Sequence, residues 1–468
     1  MYKEQIEKYI EAHKDHMVED IKALVRIDSQ RGQAKEGMPF GEGPALCLKK
    51  AEEMLKGYGF KVTNYDNYVI TADLNEKEKQ LDILAHLDVV PVSDEWKITK
   101  PFEPVLINGN LYGRGTADDK GPAIAALYAM KAIKDLNIPV KKNVRLILGS
   151  DEECGSSDIE YYYSKEQEAP MTFSPDAEFP VINIEKGGLS STFEGTYEEV
   201  AELPRLLSIK SGDKTNVVPG KAVALVEGLD KDIILKEAEK ITATYGITFA
   251  INEEENNILK VQCRGNATHA STPQSGNNAL TGLLKLLVNL PLAPSEAFTK
   301  LKAVEKLFPH NDYYGEALGV DMEDELSGKL TMCFSIFDYN TTAFKGAFDC
   351  RAALCATNEN LRDVMKAKMM ENGIKLNDCE VYPSHHVDEN TEFVQTLLKS
   401  YESFSGKEGK AIAIGGGTYV HHLKNGVAFG CGDLEVDNHL HGDDEFISLD
   451  MLVMSMKIFA DVIIKLCN

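Results

Sequence analysis

Two stretches, LDILA at 81–85 and VRLILG at 144–149, are almost continuously apolar. A strand with one wet face alternates apolar and polar side chains, so runs of this kind demand cover on both faces. Helical patterns surround them. Ile6, Tyr9, Ile10, His13, Met17, Ile21, Leu24 and Val25 recur at helical spacing, and 45–55 reads as a second helix stopped by Gly57 and Gly59. Pro122 opens a third helix reaching Leu136, in a first turn where its missing N–H is harmless. With a further β-rich run at 68–74, the alternation predicts an α/β domain whose mixed, mostly parallel sheet is covered by helices.

From about 185 to 380 the texture changes. Shorter strands at 221–227 and 258–262, a loop at 265–273 and an amphipathic helix at 277–290 predict an α+β insertion. The first texture then returns, with a helix at 392–404, a glycine-rich turn at 414–418, a strand at 427–430 and a closing helix at 449–467. The expected organisation is therefore one domain over 1–183, interrupted by an insertion over 184–380 and completed by 381–468.

Composition narrows the function. The 468 residues carry 50 Lys or Arg against 74 Asp or Glu, a net charge of −24, and 43% are hydrophobic. Such an acidic chain lacks the basic face that nucleic acid requires, and an anionic membrane surface is equally unsuited to it. No apolar run is long enough for a membrane-spanning helix, and the charged, amphipathic N-terminus has no signal-peptide stretch. Nine cysteines at irregular spacing, without a CxxC, speak against a disulfide framework or a cysteine zinc site and for a reducing compartment.

Most of the acids are expected to be solvated surface; the informative ones follow predicted strands. LDILAHLD carries His86 and Asp88, two residues apart on one face of a strand at its carboxyl end, where open α/β sheets bind ligands. LYGRGTADDKGP carries Asp118 and Asp119 before a helix, LILGSDEECG carries Asp151, Glu152 and Glu153, and FSPDA carries Asp176. DNHLHGDDE carries His439 and His441. Each alone has a bland alternative: a structural histidine, a helix N-cap, a solvated helix start. Together, two histidines and several carboxylates at the strand ends of one split domain form a nitrogen and oxygen ligand set suited to Zn²⁺, or to Mn²⁺ or Co²⁺. An acid between two such ions would bridge them.

HLDVVP, LYGRGTADDKGP, SDEECG, SPDAEFP and HGDDE, in this order along essentially the whole chain, resemble the co-catalytic metallopeptidases grouped with aminoacylase, carboxypeptidase G and peptidase T (metallopeptidase family 20), and most closely the PepV-type dipeptidases. The resemblance implies two divalent metal ions, one held by His86 and Asp176, the other by Glu153 and His441, with Asp118 bridging and a cis peptide between Asp118 and Asp119. It implies Glu152 as general base and proton shuttle, and Asp88 as the residue that orients His86. His269, in GNATHASTP, would stabilise the oxyanion. Asn216 and Arg351 would bind substrate, Arg351 by its carboxylate, aided by backbone groups of Gly415, Gly416, Gly417 and Thr418. Without the resemblance, His269 reads equally as an exposed loop histidine and Arg351 as a surface ion pair.

HGDDE departs from the family's commoner Asn-Glu ending but keeps His441 four residues before Glu445, which favours His441 over His439 as the ligand. Asp rather than Glu at 176 is similar to relatives that act on free-amine peptides. The large insertion is similar to a lid of two ferredoxin-like lobes, which implies a monomer with His269 acting in cis; the cysteine usage and the N-terminus put the expected location in the cytoplasm. The expected activity is hydrolysis of dipeptides. The alternatives are an N-acyl-amino-acid deacylase, or a catalytically silent metal- or peptide-binding protein.

Overall fold

The computed structural model describes residues 2–199 and 201–468. The chain forms two compact units: 1–185, 385–412 and 417–468 make the first, and 186–384 with 413–416 make the second. Each has its own apolar core. That of the first runs from Ile6 through Phe173 to Cys467, and that of the second from Leu189 to Leu376.

The first unit is built on one mixed sheet. From one edge the strands run Lys61–Tyr65, Val69–Asp73, Asn143–Gly149, Lys79–His86, Met171–Ser174, Gly426–Ala428, Val181–Glu185 and His385–His386, with Ala411–Ile414 joined to Val181–Glu185. Parallel pairings mark the centre, where Lys79–His86 lies between Asn143–Gly149 and Met171–Ser174, and Met171–Ser174 also pairs with Gly426–Ala428. The flanking pairs are antiparallel, so the sheet is less parallel than the apolar runs suggest. The reason is local. Lys61–Tyr65 and Val69–Asp73 are joined by a turn through Asp66 and Asn67, both in the left-handed region, and a hairpin can only pair antiparallel. In the central strand the last six residues, Leu81 to His86, are all buried, which accounts for its nearly continuous apolar run, interrupted by Asp82. Helices Lys3–Val25, Lys120–Asp135 and Leu449–Leu466 pack on one another, and Lys120–Asp135 lies on the two central strands. Pro122 falls in its first turn.

The main sheet of the second unit is antiparallel, with a separate two-stranded pair, Glu323–Asp324 and Gly328–Lys329, beside it in the chain. Its order is Thr248–Glu254, Ile258–Arg264, Lys221–Glu227, Arg205–Ser211, Thr331–Tyr339, Ala343–Ala352, Ser191–Thr196 and Lys375–Leu376. The two halves of the insertion are thus continuous, joined where Ile209 to Ser211 pair with Phe337 to Tyr339. No helix among the described residues is long and apolar enough to cross a membrane.

Candidate active site

Parallel pairing in the first unit brings distant residues to one end of the sheet. His86 ends its strand opposite Gly149, so the loop carrying Glu152 and Glu153 leaves the neighbouring strand beside it. Asp176 leaves the strand on the other side, two residues after Ser174. Gly149 has no room for a side chain: a Cβ there would lie 2.1 Å from the Tyr419 hydroxyl and 2.5 Å from Asp158 Oδ2. Tyr419 donates to that carboxylate (2.5 Å), which also accepts the Ser150 and Asp151 amides, and its ring stands edge-on to His86.

Asp118 is shared by two groups of ligand atoms. His86 Nε2 lies 2.9 Å from Asp118 Oδ1 and 3.4 Å from Asp176 Oδ2. His441 Nε2 lies 2.9 Å from Asp118 Oδ2 and 3.2 Å from Glu153 Oε1, an oxygen that is buried and accepts no well-formed hydrogen bond. Each group could hold a metal ion. A tautomer argument supports this. His86 Nδ1 faces the Asp88 carbonyl at 3.1 Å, and a carbonyl only accepts, so Nδ1 carries the hydrogen. In a neutral ring Nε2 then turns a lone pair towards the carboxylate oxygens of Asp118 and Asp176, an arrangement that calls for a cation between them.

Electrostatics point the same way. Burial opposes a charged His86, but Asp176, Asp118 and Asp88 outweigh it and raise its pKa well above the ordinary value. His441 is pushed up to about 11 by Asp118 and Glu153. Burial raises the Glu152 carboxyl well above its usual range, reinforced by Asp176, Glu153 and Asp118. Burial and then Asp118 bring Glu153 to about 7. Asp118 alone is driven down, because its contacts with His441 and His86 overcome burial. The site therefore gathers more negative charge than its histidines neutralise.

Several acids do other work than their spacing suggests. The peptide between Asp118 and Asp119 is cis, and Asp119, at the helix N-cap, does not cap; its carboxylate accepts the His86 amide (3.1 Å). Asp151 turns away from Glu152 and Glu153 to pair with Arg31 and Ser157. The Asp88 carboxylate lies 3.4 Å from His86 Nδ1 and also accepts the Glu152 and Glu153 amides (3.2 and 3.1 Å), tying the two loops together. His439 is occupied within its own loop, with Nδ1 3.1 Å from the Asp443 carbonyl.

In the second unit, an antiparallel bridge between Val217 and His269 sets Asn216 beside His269, with the Ala270 amide donating to the Asn216 carbonyl (2.9 Å). Arg351 grips Asp349 with two hydrogen bonds (2.7 and 2.9 Å) and donates from Nη1 to the Gly415 carbonyl (2.7 Å). Gly416 ends this unit and Gly417 begins the return to the first. There the Thr418 amide and hydroxyl both donate to Glu185 Oε1 (3.1 and 2.8 Å), so neither is open to a ligand in this arrangement.

Residues 83–465 match the sequence profile of the peptidase family M20/M25/M40. The chain belongs to this family. It is accordingly a peptide-bond hydrolase of a metal-dependent family. The YtjP protein of Bacillus subtilis (strain 168) is 34% identical to this M20 peptidase, over 97% of this chain and 98% of its own. The Beta-Ala-Xaa dipeptidase of Lactobacillus delbrueckii subsp. lactis is 33% identical, over 97% of each. The crystal structure of human carnosine dipeptidase 1 shares the fold, with a TM-score of 0.60 at 16% identity over 100% of this chain and 99% of that one.

In this M20 peptidase the main contributor not anticipated from sequence is Glu445. Its fully buried carboxylate pairs with buried Arg114 (2.6 Å) and accepts the amides of Gly115, Ala117 and Asp118 (3.0, 2.9 and 3.3 Å). Arg114 in turn donates to the Gly442 carbonyl (2.8 Å). One ion pair thus holds the Asp118 loop against the His441 loop. Both residues lie in motifs visible in the sequence, LYGRG and HGDDE, but 331 positions separate them.

Proposed function

We propose that this chain is a dipeptidase working with two divalent cations, zinc first and manganese or cobalt as substitutes, on dipeptides with a free amino terminus. The observation that carries the reading is the sharing of Asp118 between two donor groups, each completed by one histidine and one further carboxylate. The dipeptidase name of the Lactobacillus relative, similar along nearly its whole length, supports the substrate class. His86 and Asp176 would hold one cation, Glu153 and His441 the other, and Asp118 both. A cation pair bound there would supply a water of lowered pKa and would polarise the peptide carbonyl.

The chain's own groups do the rest. Glu152 is held by its amide to Asp88 but is not part of either donor group, and a carboxyl raised by burial suits a base that takes a proton and returns it to the leaving amine. In the second unit, the reading gives Arg351 the substrate carboxylate. Asp349 and Gly415 already fix its guanidinium, and its planar fork matches two oxygens. His269, with Asn216 beside it, would donate to the oxygen on which negative charge develops. Gly416, Gly417 and Thr418 would line the substrate once Thr418 exchanges its Glu185 contacts. The chain would act as a monomer in the cytoplasm; nine free cysteines support a reducing compartment.

The test is a panel of dipeptides, tetrapeptides and N-acyl amino acids, assayed on protein stripped of metal and reloaded with Zn²⁺, Mn²⁺ or Co²⁺. Metal-dependent hydrolysis of dipeptides alone is expected. Comparable turnover of tetrapeptides refutes the reading, a preference for N-acyl substrates makes the chain a deacylase, and no turnover with both metals bound makes it a binding protein.

A further inference from the structure

Ser271, which the assignment above does not use, forms a local unit with His269 two residues before it. The Ser271 amide donates to His269 Nδ1 (3.2 Å), and Ser271 Oγ lies 2.7 Å from the same nitrogen. Hydroxyl and imidazole can each donate or accept, so the second contact alone leaves the direction open. The amide decides it. A backbone N–H only donates, so Nδ1 presents its lone pair, and a neutral ring must then carry its hydrogen on Nε2. The hydroxyl hydrogen can rotate onto the same lone pair.

Ser271 is itself held in place. Its carbonyl accepts the Thr331 hydroxyl (3.3 Å). Gly415 packs against it so closely that a Cβ there would lie 2.7 Å from Ser271 Cβ. The Gly415 carbonyl is the one that Arg351 Nη1 holds. The peptide around His269 is fixed on its other side, where the Val218 amide donates to the Thr268 carbonyl (2.9 Å) and Ala270 is fully buried with Val218 and Cys333. His269, Ser271, Gly415 and Arg351 are thus successive members of one connected block within the second unit.

We propose that Ser271 is a positioning residue that holds His269 as the Nε2–H tautomer, the form that offers a hydrogen-bond donor rather than a lone pair from the far side of the ring. Its effect on catalysis rests on the oxyanion role given to His269 above; the tautomer assignment itself does not. In the opposite tautomer, Nδ1–H would point at the Ser271 amide hydrogen, and Nε2 would turn a lone pair towards any developing oxyanion. The serine therefore selects which of two rings of identical shape is present, and Gly415, by leaving room, keeps the serine in register.

The experiment uses zinc-loaded full-length protein labelled with ¹⁵N-histidine, with one-bond and long-range ¹H–¹⁵N correlations, and His269→Asn to assign the signal. Wild type is expected to show a protonated Nε2 and a bare Nδ1. Ser271→Ala keeps the amide but removes the hydroxyl donor, so it is expected to raise the share of the Nδ1–H form and to lower kcat on dipeptides by about 2- to 12-fold, the size of one net hydrogen bond, with KM little changed. Ser271→Thr, which keeps the hydroxyl, should restore both readouts. A protonated Nδ1 in wild type overturns the proposal, as does Ser271→Ala with unaltered tautomer and kcat. If the tautomer behaves as expected but no dipeptide is hydrolysed, the positioning role stands and the dipeptidase reading falls.

Discussion

At the scale of residues, the centre is a problem of charge. Asp118, Glu153 and Asp176 stand beside two imidazoles, His86 and His441, and Glu152 is raised by burial and then by all three of these neighbours. The proposed roles divide by contact: a side chain in a donor group would hold a cation, and one outside both groups would be placed to move a proton. Glu152→Gln keeps the size of the side chain and removes the base, so kcat on dipeptides should fall by about 10²–10⁴-fold while two metals per chain remain. Metal analysis of the purified variant beside its kinetics checks this, and loss of metal with activity would make Glu152 a ligand. The two histidines of the DNHLHGDDE loop separate in the same way. His441→Ala should lose one of two bound metals, because His441 Nε2 faces Asp118 and Glu153, whereas His439→Ala should keep both, since His439 is engaged with its own loop.

At the scale of elements, two loops depend on a pair of residues outside both donor groups. Glu445 and Arg114 join the turn before helix Lys120–Asp135 to the loop before strand Phe446–Ser448, and the short strands Asn110–Tyr112 and Phe446–Ser448 pair directly. Glu445→Ala leaves a buried guanidinium without its partner, an arrangement that destabilises proteins by about 3–5 kcal/mol. Urea unfolding should register that loss, and metal affinity should fall in parallel because the Asp118 amide loses its acceptor. A second element-scale effect lies on the central strand. Asp82 is fully buried, 3.4 Å from Lys79, and burial raises its carboxyl to about 6. The folded state therefore holds a proton that the unfolded chain releases at lower pH. The contribution is fully present below about pH 4 and is lost as pH rises through about 6. Asp82→Asn should flatten that stretch of the stability curve, read by urea titrations across it.

At the scale of the whole molecule, the first unit assembles its centre from residues between His86 and His441, so its ligand loops are joined only through the fold. A cation bound to the folded state and not to the unfolded chain stabilises by mass action, about 2.7 kcal/mol at a hundredfold excess over its Kd. Chelation should therefore lower Tm, and restoring Zn²⁺, Mn²⁺ or Co²⁺ should raise it again, with the shift growing with metal concentration. A Tm indifferent to chelator would argue against a bound pair.

How much of this was legible in the sequence follows from the range of each interaction. Helix and strand positions were readable because periodicity is local, and the candidate ligand residues stood out because they follow apolar strands. The antiparallel flanks of the sheet, the main sheet joining both halves of the insertion, and the use of Asp119 for an amide rather than a cap were not, since each depends on which neighbour the backbone meets. By itself the sequence determined an interrupted α/β chain with histidines and acids at strand ends, and its motif order pointed to a family. Only the tertiary structure decided that Asp118 is shared by two histidines, that Glu445 clamps its loop through Arg114, and that the Ser271 amide and hydroxyl both face His269 Nδ1. The reason is that a hydrogen bond has a direction and a reach of about 3 Å, and a sequence carries neither.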